Sequence, residues 1–120
     1  MLFRSKVEPP QGDDYRGIGP FRNGESALFT IVNRGKRGVV LDLKQPAAQA
    51  LARDLIATAD VVVENFRPGV AARLGLGAEA LLAAQPRLVY VSISGYGQTG
   101  PMAERPAYDI IMQEIGRAHV

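Results

Sequence analysis

The hydrophobic residues of this chain fall into short runs separated by turn residues. Three β-branched residues at 61–63, flanked by Asp60 and Glu64, predict a short strand buried on both faces, as in a parallel sheet. Apolar runs near residues 39 and 88 predict two further strands. A fourth strand could end at residue 8, because Pro9 and Pro10 prevent further ladder pairing.

Segments in which apolar residues recur at helical spacing lie between these strands. Pro46 suits the first turn of a helix over residues 47–58, with Leu51, Leu55 and Ile56 on one face. Two shorter helices are predicted at 70–74 and 78–84. Strands alternating with helices indicate right-handed βαβ units and an α/β fold.

Two segments are less regular. Residues 11–24 are dense in glycine and proline, which predicts an irregular, solvent-facing loop. Residues 26–33 form an apolar run that is compatible with either a helix or a buried strand.

Composition narrows the class of protein. The 120 residues, 47% of them hydrophobic, suffice for one small domain, and a net charge of +2 does not indicate nucleic-acid binding. Without cysteine and with one histidine, the chain cannot form a disulfide, a thiol nucleophile or a zinc site. No apolar run approaches the roughly 18 residues of a membrane span, and residues 1–6 do not resemble a secretory signal. A cytoplasmic protein that acts on anionic small molecules is therefore expected.

Three polar segments are candidate ligand contacts. Ligands of open parallel sheets gather at the carboxyl ends of strands, where Glu64, Asn65, Phe66 and Arg67 follow the valine run. Residues 33–38 interleave three cations with two glycines, which suits either a solvated turn or a phosphate contact, although the spacing is not that of a P-loop. The glycine-rich loop 95–101 is a weak dinucleotide signal because no helix follows it directly.

Taken together, five blocks resemble the class III CoA-transferase family, which includes formyl-CoA transferase, carnitine CoA-transferases and 2-methylacyl-CoA racemases. In order they read KVEPPQGDD, NRGKRGVVLDLK, ADVVVENFRPGVAARLGLG, PRLVYVSISGYGQTGP and RPAYDIIMQ. The resemblance implies a Rossmann-like large domain, of which residues 6–113 would be a partial CoA-binding portion, and a parent protein that forms an interlocked homodimer.

The resemblance also assigns residues to coenzyme A. Those that match the family's CoA contacts are Leu41, Asp42, Leu43, Lys44, Asn65, Phe66, Arg67, Arg73, Pro106, Ala107, Tyr108 and Asp109. The family places a tyrosine at position 108 in transferases and a histidine in racemases, so Tyr108 favours transfer. Pro9 stands where formyl-CoA transferase has an arginine, which removes one nucleotide contact. Phe66 is equally compatible with a place in the core.

The family mechanism is covalent. An aspartate attacks the acyl-CoA thioester to form a mixed anhydride, the CoA thiolate re-attacks, and an acceptor carboxylic acid takes the CoA. The nucleophile belongs to a Gly-Asp step beyond the Tyr-Asp block, whereas the only Gly-Asp here is Gly12-Asp13. We therefore expect the nucleophilic aspartate to lie beyond Val120, the last residue of this sequence. No catalytic residue is expected within the 120 residues, and the isolated chain should be inactive and poorly stable.

The two ends also differ from the family pattern. Residues 1–5 replace a longer leading segment, and residues 114–120 resemble the translation of a sequencing-library adapter, so both are expected to be truncated or non-native. Two other functions remain open: a fragment of a racemase, and a non-catalytic nucleotide-binding module.

Overall fold

Two pairs of parallel strands organise the chain. The computed structural model describes residues 4–107, in which strands and helices alternate as the sequence predicts. The chain forms two compact units that divide between Ala48 and Gln49, which length alone did not predict. Each unit contains one of the parallel strand pairs, so the α/β class is confirmed.

The first unit is built on β1 (Arg4–Glu8), which pairs in parallel with β4 (Lys36–Val40). The pairing runs from Arg4 opposite Lys36 to Glu8 opposite Val40. β4 therefore begins inside the cationic run and ends earlier than its apolar pattern suggests. One more ladder bond follows, from the Leu41 N–H to the Glu8 carbonyl at 2.9 Å. Pro9, which comes next on β1, has no N–H to continue the ladder.

Residues 9–33 contain more regular structure than the predicted loop. A single 3-10 turn (Asp14–Gly17) precedes a hairpin of β2 (Phe21–Arg22) and β3 (Glu25–Ser26), and then α1 (Ala27–Val32). The hairpin turn is Asn23-Gly24, with φ angles of 52° and 81°. Asn-Gly is the dipeptide that tight hairpins prefer, so the prediction of an irregular segment missed a signal that the sequence contains.

Ser26 begins α1. Its hydroxyl oxygen accepts the Phe29 N–H at 3.1 Å, and its hydroxyl group donates to the Ile18 carbonyl at 2.5 Å. The side chain thus satisfies one of the free N–H groups of the first helical turn. Of the two alternatives for residues 26–33, the helix is the one that forms.

A charged cluster lies at the carboxyl end of β1. The buried Glu8 carboxylate accepts two hydrogen bonds from the Arg16 guanidinium, from Nε at 2.8 Å and from Nη2 at 3.0 Å. Lys6 pairs with Asp13. The ring of Phe29 lies beside both cations, with its centroid 3.9 Å from Arg16 Cζ and 4.6 Å from Lys6 Nζ. These contacts tie the loop that follows β1 to the strand and to α1.

The cluster should make the stability of the chain acid-sensitive. The hydrogen bonds from Arg16 lower the pKa of Glu8, and the bond from Lys6 lowers the pKa of Asp13, because each favours the ionised carboxylate. A pKa that is lower in the folded state stabilises the fold above the unfolded value, and this contribution is lost as pH falls through the folded value. We expect the free energy of unfolding to decrease as pH falls below the ordinary values of 4.5 for glutamate and 3.8 for aspartate. Urea unfolding across this pH range measures the decrease.

The matched variant for this prediction is Glu8→Gln, which has a similar shape and no charge. It should be less stable than the wild type at neutral pH and should lose less stability on acidification. An unchanged acid slope in the variant would show that Glu8 does not contribute to the pH dependence.

The second unit is built on β5 (Val61–Glu64), which pairs in parallel with β6 (Val89–Ser92). The connection between them consists of α3 (Val70–Arg73) and α4 (Ala78–Ala84), and α2 (Pro46–Ala57) precedes β5. All three helices were predicted to within two residues at each end. The buried apolar residues of the described chain belong to this unit, and they are Ala52, Ala71, Leu76, Leu81 and Leu88.

One prediction about burial is wrong. Val61 and Val63 are 52% and 60% exposed, and their partners on β6, Val89 and Val91, are exposed on the same face. Of the residues that alternate with them, Val62, Glu64 and Tyr90 are half-buried. The connection through α3 and α4 covers only that second face, because a single βαβ connection supplies one helical layer. The valine run therefore forms a strand with one covered face.

The apolar face of α2 also differs from its prediction. Leu51 is 57% exposed, Leu55 and Ile56 are half-buried, and the buried residue of the helix is Ala52. The longest helix of the described residues is α2, with 12 residues, and no helix among residues 4–107 has the length and apolar character needed to cross a bilayer.

Candidate functional site at the carboxyl ends of β5 and β6

The turn that follows β5 is held by backbone and side-chain hydrogen bonds. The Phe66 N–H donates to Glu64 Oε2 at 2.8 Å, and the Val70 N–H donates to the Arg67 carbonyl at 3.0 Å. Gly69, with φ of 80°, takes the left-handed conformation that begins α3. Asn65, Phe66 and Arg67 are all exposed, so Phe66 is not a core residue of the described chain.

Arg73 lies close to this turn. Its N–H donates to the Gly69 carbonyl at 3.1 Å, and a Cβ atom added at Gly69 would lie 3.3 Å from Arg73 Nη1. The guanidinium is therefore folded back along α3 towards the turn. Two exposed cations, Arg67 and Arg73, stand at the carboxyl end of β5.

A cleft of about 250 Å³ opens at this end of the strand pair. Its polar lining comes from both strands and from the loops beyond them, and its floor is made of small residues of α3 and α4. The polar lining residues are Glu64, Arg67, Tyr90, Ser92 and Gln98. This is the edge at which parallel sheets bind ligands, as the sequence predicts.

A larger cleft of about 390 Å³ lies at the opposite end of the same strands. It is lined by Asp60, at the amino end of β5, and by Ala84, Gln85, Pro86 and Arg87, which precede β6. If volume were the only criterion, the ligand site would be placed in this larger cleft. We place the site at the smaller one because the amino ends of parallel strands seldom hold ligands.

The segment 41–44 lies in the first compact unit, where it follows β4. Leu41, Asp42 and Leu43 are half-buried, and Lys44 is exposed. Asp42 shapes the segment, since its Oδ1 accepts the Lys44 N–H at 3.1 Å and its carbonyl accepts the Gln45 N–H at 2.9 Å. The segment is thus a tight turn between β4 and α2.

The last group of predicted contacts falls at the end of the described chain. Pro106 is exposed and Ala107 is half-buried. Tyr108 and Asp109 lie outside the described residues, so their assignments stay predictions. Val120 also lies outside the described residues, and the position of the nucleophilic aspartate beyond it stays a prediction as well.

Sequence reasoning missed part of the cleft lining. Tyr90 and Ser92 stand opposite Val62 and Glu64 in the strand register and lie on the same face of the pair, where Tyr90 is half-buried and Ser92 is exposed. The Tyr90 hydroxyl donates to the Leu76 carbonyl at 2.9 Å. Burial raises the pKa of Tyr90, and the nearby negative charge of Glu64 raises it further. The alternation along β6 separates Tyr90 and Ser92 from Val89 and Val91, but it would have placed the valines on the buried face, and both valines are exposed.

The fold and the site define an α/β protein whose two exposed arginines and smaller cleft lie at the carboxyl ends of parallel strands. Comparison with known proteins gives the family. The model of CoA-transferase family III matches residues 5–119, and the chain belongs to that family.

The relatives are much longer than this chain. It is 51% identical over 111 residues to the acetyl-CoA:oxalate CoA-transferase of Acetobacter aceti, a match that covers 92% of this chain and 28% of the relative. A succinate–glutarate CoA-transferase of Agrobacterium fabrum is 47% identical over 116 residues, covering 90% and 29%. The crystal structure of a CAIB/BAIF family protein from Brucella suis superposes with a TM-score of 0.86 at 45% identity, covering 93% of this chain and 31% of that one. The chain thus spans less than a third of the length of these proteins.

Proposed function

We propose that residues 6–113 form part of the CoA-binding domain of an enzyme that transfers CoA between an acyl-CoA and a carboxylic acid. The observation that carries this proposal is the turn Asn65-Phe66-Arg67 at the carboxyl end of β5, with the guanidinium of Arg73 folded back beside it. Relatives named for acyl-CoA and dicarboxylate substrates support the same reaction class.

The chemistry of the turn suits the nucleotide end of coenzyme A. That end carries a diphosphate and a 3′-phosphate, and guanidinium groups donate paired, charge-assisted hydrogen bonds to phosphate oxygens. Arg67 and Arg73 are exposed, so binding a phosphate would not first require breaking a buried ion pair. Lys44 and the backbone of residues 41–43 are proposed as further contacts to coenzyme A, as are residues 106–109.

The remaining parts of the proposal concern the whole enzyme. The substrate would be an acyl-CoA with a carboxylic acid as acceptor, and the reaction would pass through an aspartyl anhydride whose aspartate lies beyond Val120. Tyr108 favours this transfer over the racemase alternative. An interlocked homodimer and a cytoplasmic location belong to the same proposal.

Coenzyme A binding by the 120-residue chain tests the proposal. A ligand that binds only the folded state raises the melting temperature. We expect coenzyme A to raise it, and we expect pantetheine, which lacks the nucleotide and its phosphates, to raise it much less. Added salt should reduce the effect of coenzyme A, since exposed charge pairs are screened.

Two results would count against this function. The first is a chain that melts at the same temperature with and without coenzyme A. The second is an equal shift with pantetheine, which would mean that the phosphates are not recognised.

A further inference from the structure

Glu64 occupies an unusual position for a carboxylate beside a site for an anion. It is the last residue of β5, it is half-buried, and it lines the same cleft as Arg67. A negative charge here would repel the phosphates of coenzyme A. Its presence therefore needs a reason other than direct contact with the nucleotide.

The hydrogen bond of Glu64 supplies that reason. Its Oε2 accepts the N–H of Phe66, two residues along the chain, at 2.8 Å. The hydrogen bond fixes the orientation of the peptide unit between Asn65 and Phe66. That peptide unit lies in the middle of the turn that carries Arg67. A side chain that accepts a backbone N–H in this way holds a local turn without any contact to a ligand.

Tyr90, which also lines the cleft, makes a second side-chain hydrogen bond to the backbone. Its hydroxyl donates to the carbonyl of Leu76, in the segment between α3 and α4. Tyr90 and Glu64 belong to adjacent strands and point to the same face, since Val62 pairs with Tyr90 and Glu64 pairs with Ser92. Each strand thus contributes one side chain that hydrogen-bonds to the backbone of a segment beside the cleft.

We propose that Glu64 is a positioning residue for coenzyme A binding, acting through the Phe66 N–H and not through contact with the ligand. This inference rests on the proposed function. It requires a hydrogen-bond acceptor at position 64 but not a negative charge. Glutamine should therefore replace glutamate without loss, and should lessen the repulsion of the phosphates.

Two variants separate the acceptor from the charge. Glu64→Ala removes both, and coenzyme A should bind about 3- to 10-fold more weakly, as expected for the loss of one hydrogen bond. Glu64→Gln keeps the acceptor, and coenzyme A should bind at least as tightly as to the wild type. Isothermal titration calorimetry on the 120-residue chain and both variants measures the three affinities.

A second measurement reads the turn itself. Hydrogen exchange at the Phe66 amide should be faster in Glu64→Ala than in the wild type, and should stay slow in Glu64→Gln. Far-UV circular dichroism establishes that each variant is folded. A general loss of structure would accelerate exchange at amides throughout the chain, whereas a positioning role predicts a change confined to the turn.

The outcomes distinguish this inference from the proposed function. If the wild type does not bind coenzyme A, the proposed function fails and the inference fails with it. If the wild type binds and Arg67→Ala weakens binding, but Glu64→Ala binds as tightly as the wild type, only the positioning role is wrong. If Glu64→Gln binds as weakly as Glu64→Ala, the charge of Glu64 is what matters, and the inference is again wrong.

Discussion

Replacing Arg67 by alanine is expected to weaken coenzyme A binding by about 10- to 100-fold. Hydrogen bonds to charged groups contribute about 1.5–3 kcal/mol each, which corresponds to this range of affinity. Arg67 lines the cleft at the carboxyl ends of the strands and is exposed, so the substitution removes the proposed phosphate contacts without emptying a core position. Isothermal titration calorimetry at low ionic strength measures the change.

The chain offers a matched control for this substitution. Arg87 is also exposed, but it lines the cleft at the opposite end of the same strand pair. Arg87→Ala removes the same charge and should leave the affinity nearly unchanged. Arg67→Lys should recover part of the binding, since lysine keeps the charge but lacks the planar fork. Equal losses of affinity in Arg67→Ala and Arg87→Ala would mean that coenzyme A binding depends on the net charge of the chain and not on the proposed site.

Replacing Leu88 by alanine is expected to reduce the free energy of unfolding by about 2–5 kcal/mol, the usual cost of truncating a buried leucine. Leu88 is 4% exposed and precedes β6, and it is one of the few buried apolar side chains of the described residues. Because domains are typically stable by only about 5–15 kcal/mol, this loss is a large fraction of the stability of a small domain. Urea denaturation followed by far-UV circular dichroism measures it.

Leu51→Ala is the control for the leucine substitution. Leu51 is 57% exposed, and exposed substitutions usually change stability by less than about 0.5 kcal/mol. The apolar spacing of α2 alone would have ranked Leu51 as a core residue, so the pair of variants tests the structure against the sequence pattern. Similar losses in the two variants would contradict the burial that the structure assigns.

The elements of the fold could largely be predicted from local patterns. The helix predicted over residues 47–58 is α2, the helix predicted over 78–84 is α4, and the strands predicted near residues 39, 61 and 88 all form. These elements depend on propensity, on helical or strand periodicity and on proline positions, which are properties of neighbouring residues. The turn after β5 was predicted for the same reason, since it ends a run of three valines.

Apart from the Asn23-Gly24 hairpin, whose signal is local, the errors concern which segments pack together. The ion pair between the buried Glu8 of β1 and the exposed Arg16 depends on how the loop after β1 folds back. Tyr90 and Ser92 reach the cleft because the register of β6 against β5 brings them beside Glu64. Periodicity identifies a strand but not its register or which of its faces is covered.

By itself, the sequence predicted most of the strands and helices and the turn that carries Arg67, because these depend on residues close together in the chain, and its five blocks carried the resemblance to CoA-transferases. Only the tertiary structure decided which face of the valine strand is covered, that Tyr90 lines the same cleft as Glu64, and that Glu64 accepts the Phe66 N–H. The physical reason is that burial and hydrogen-bond partners depend on which segments pack together, and neither hydrophobic spacing nor composition specifies that packing.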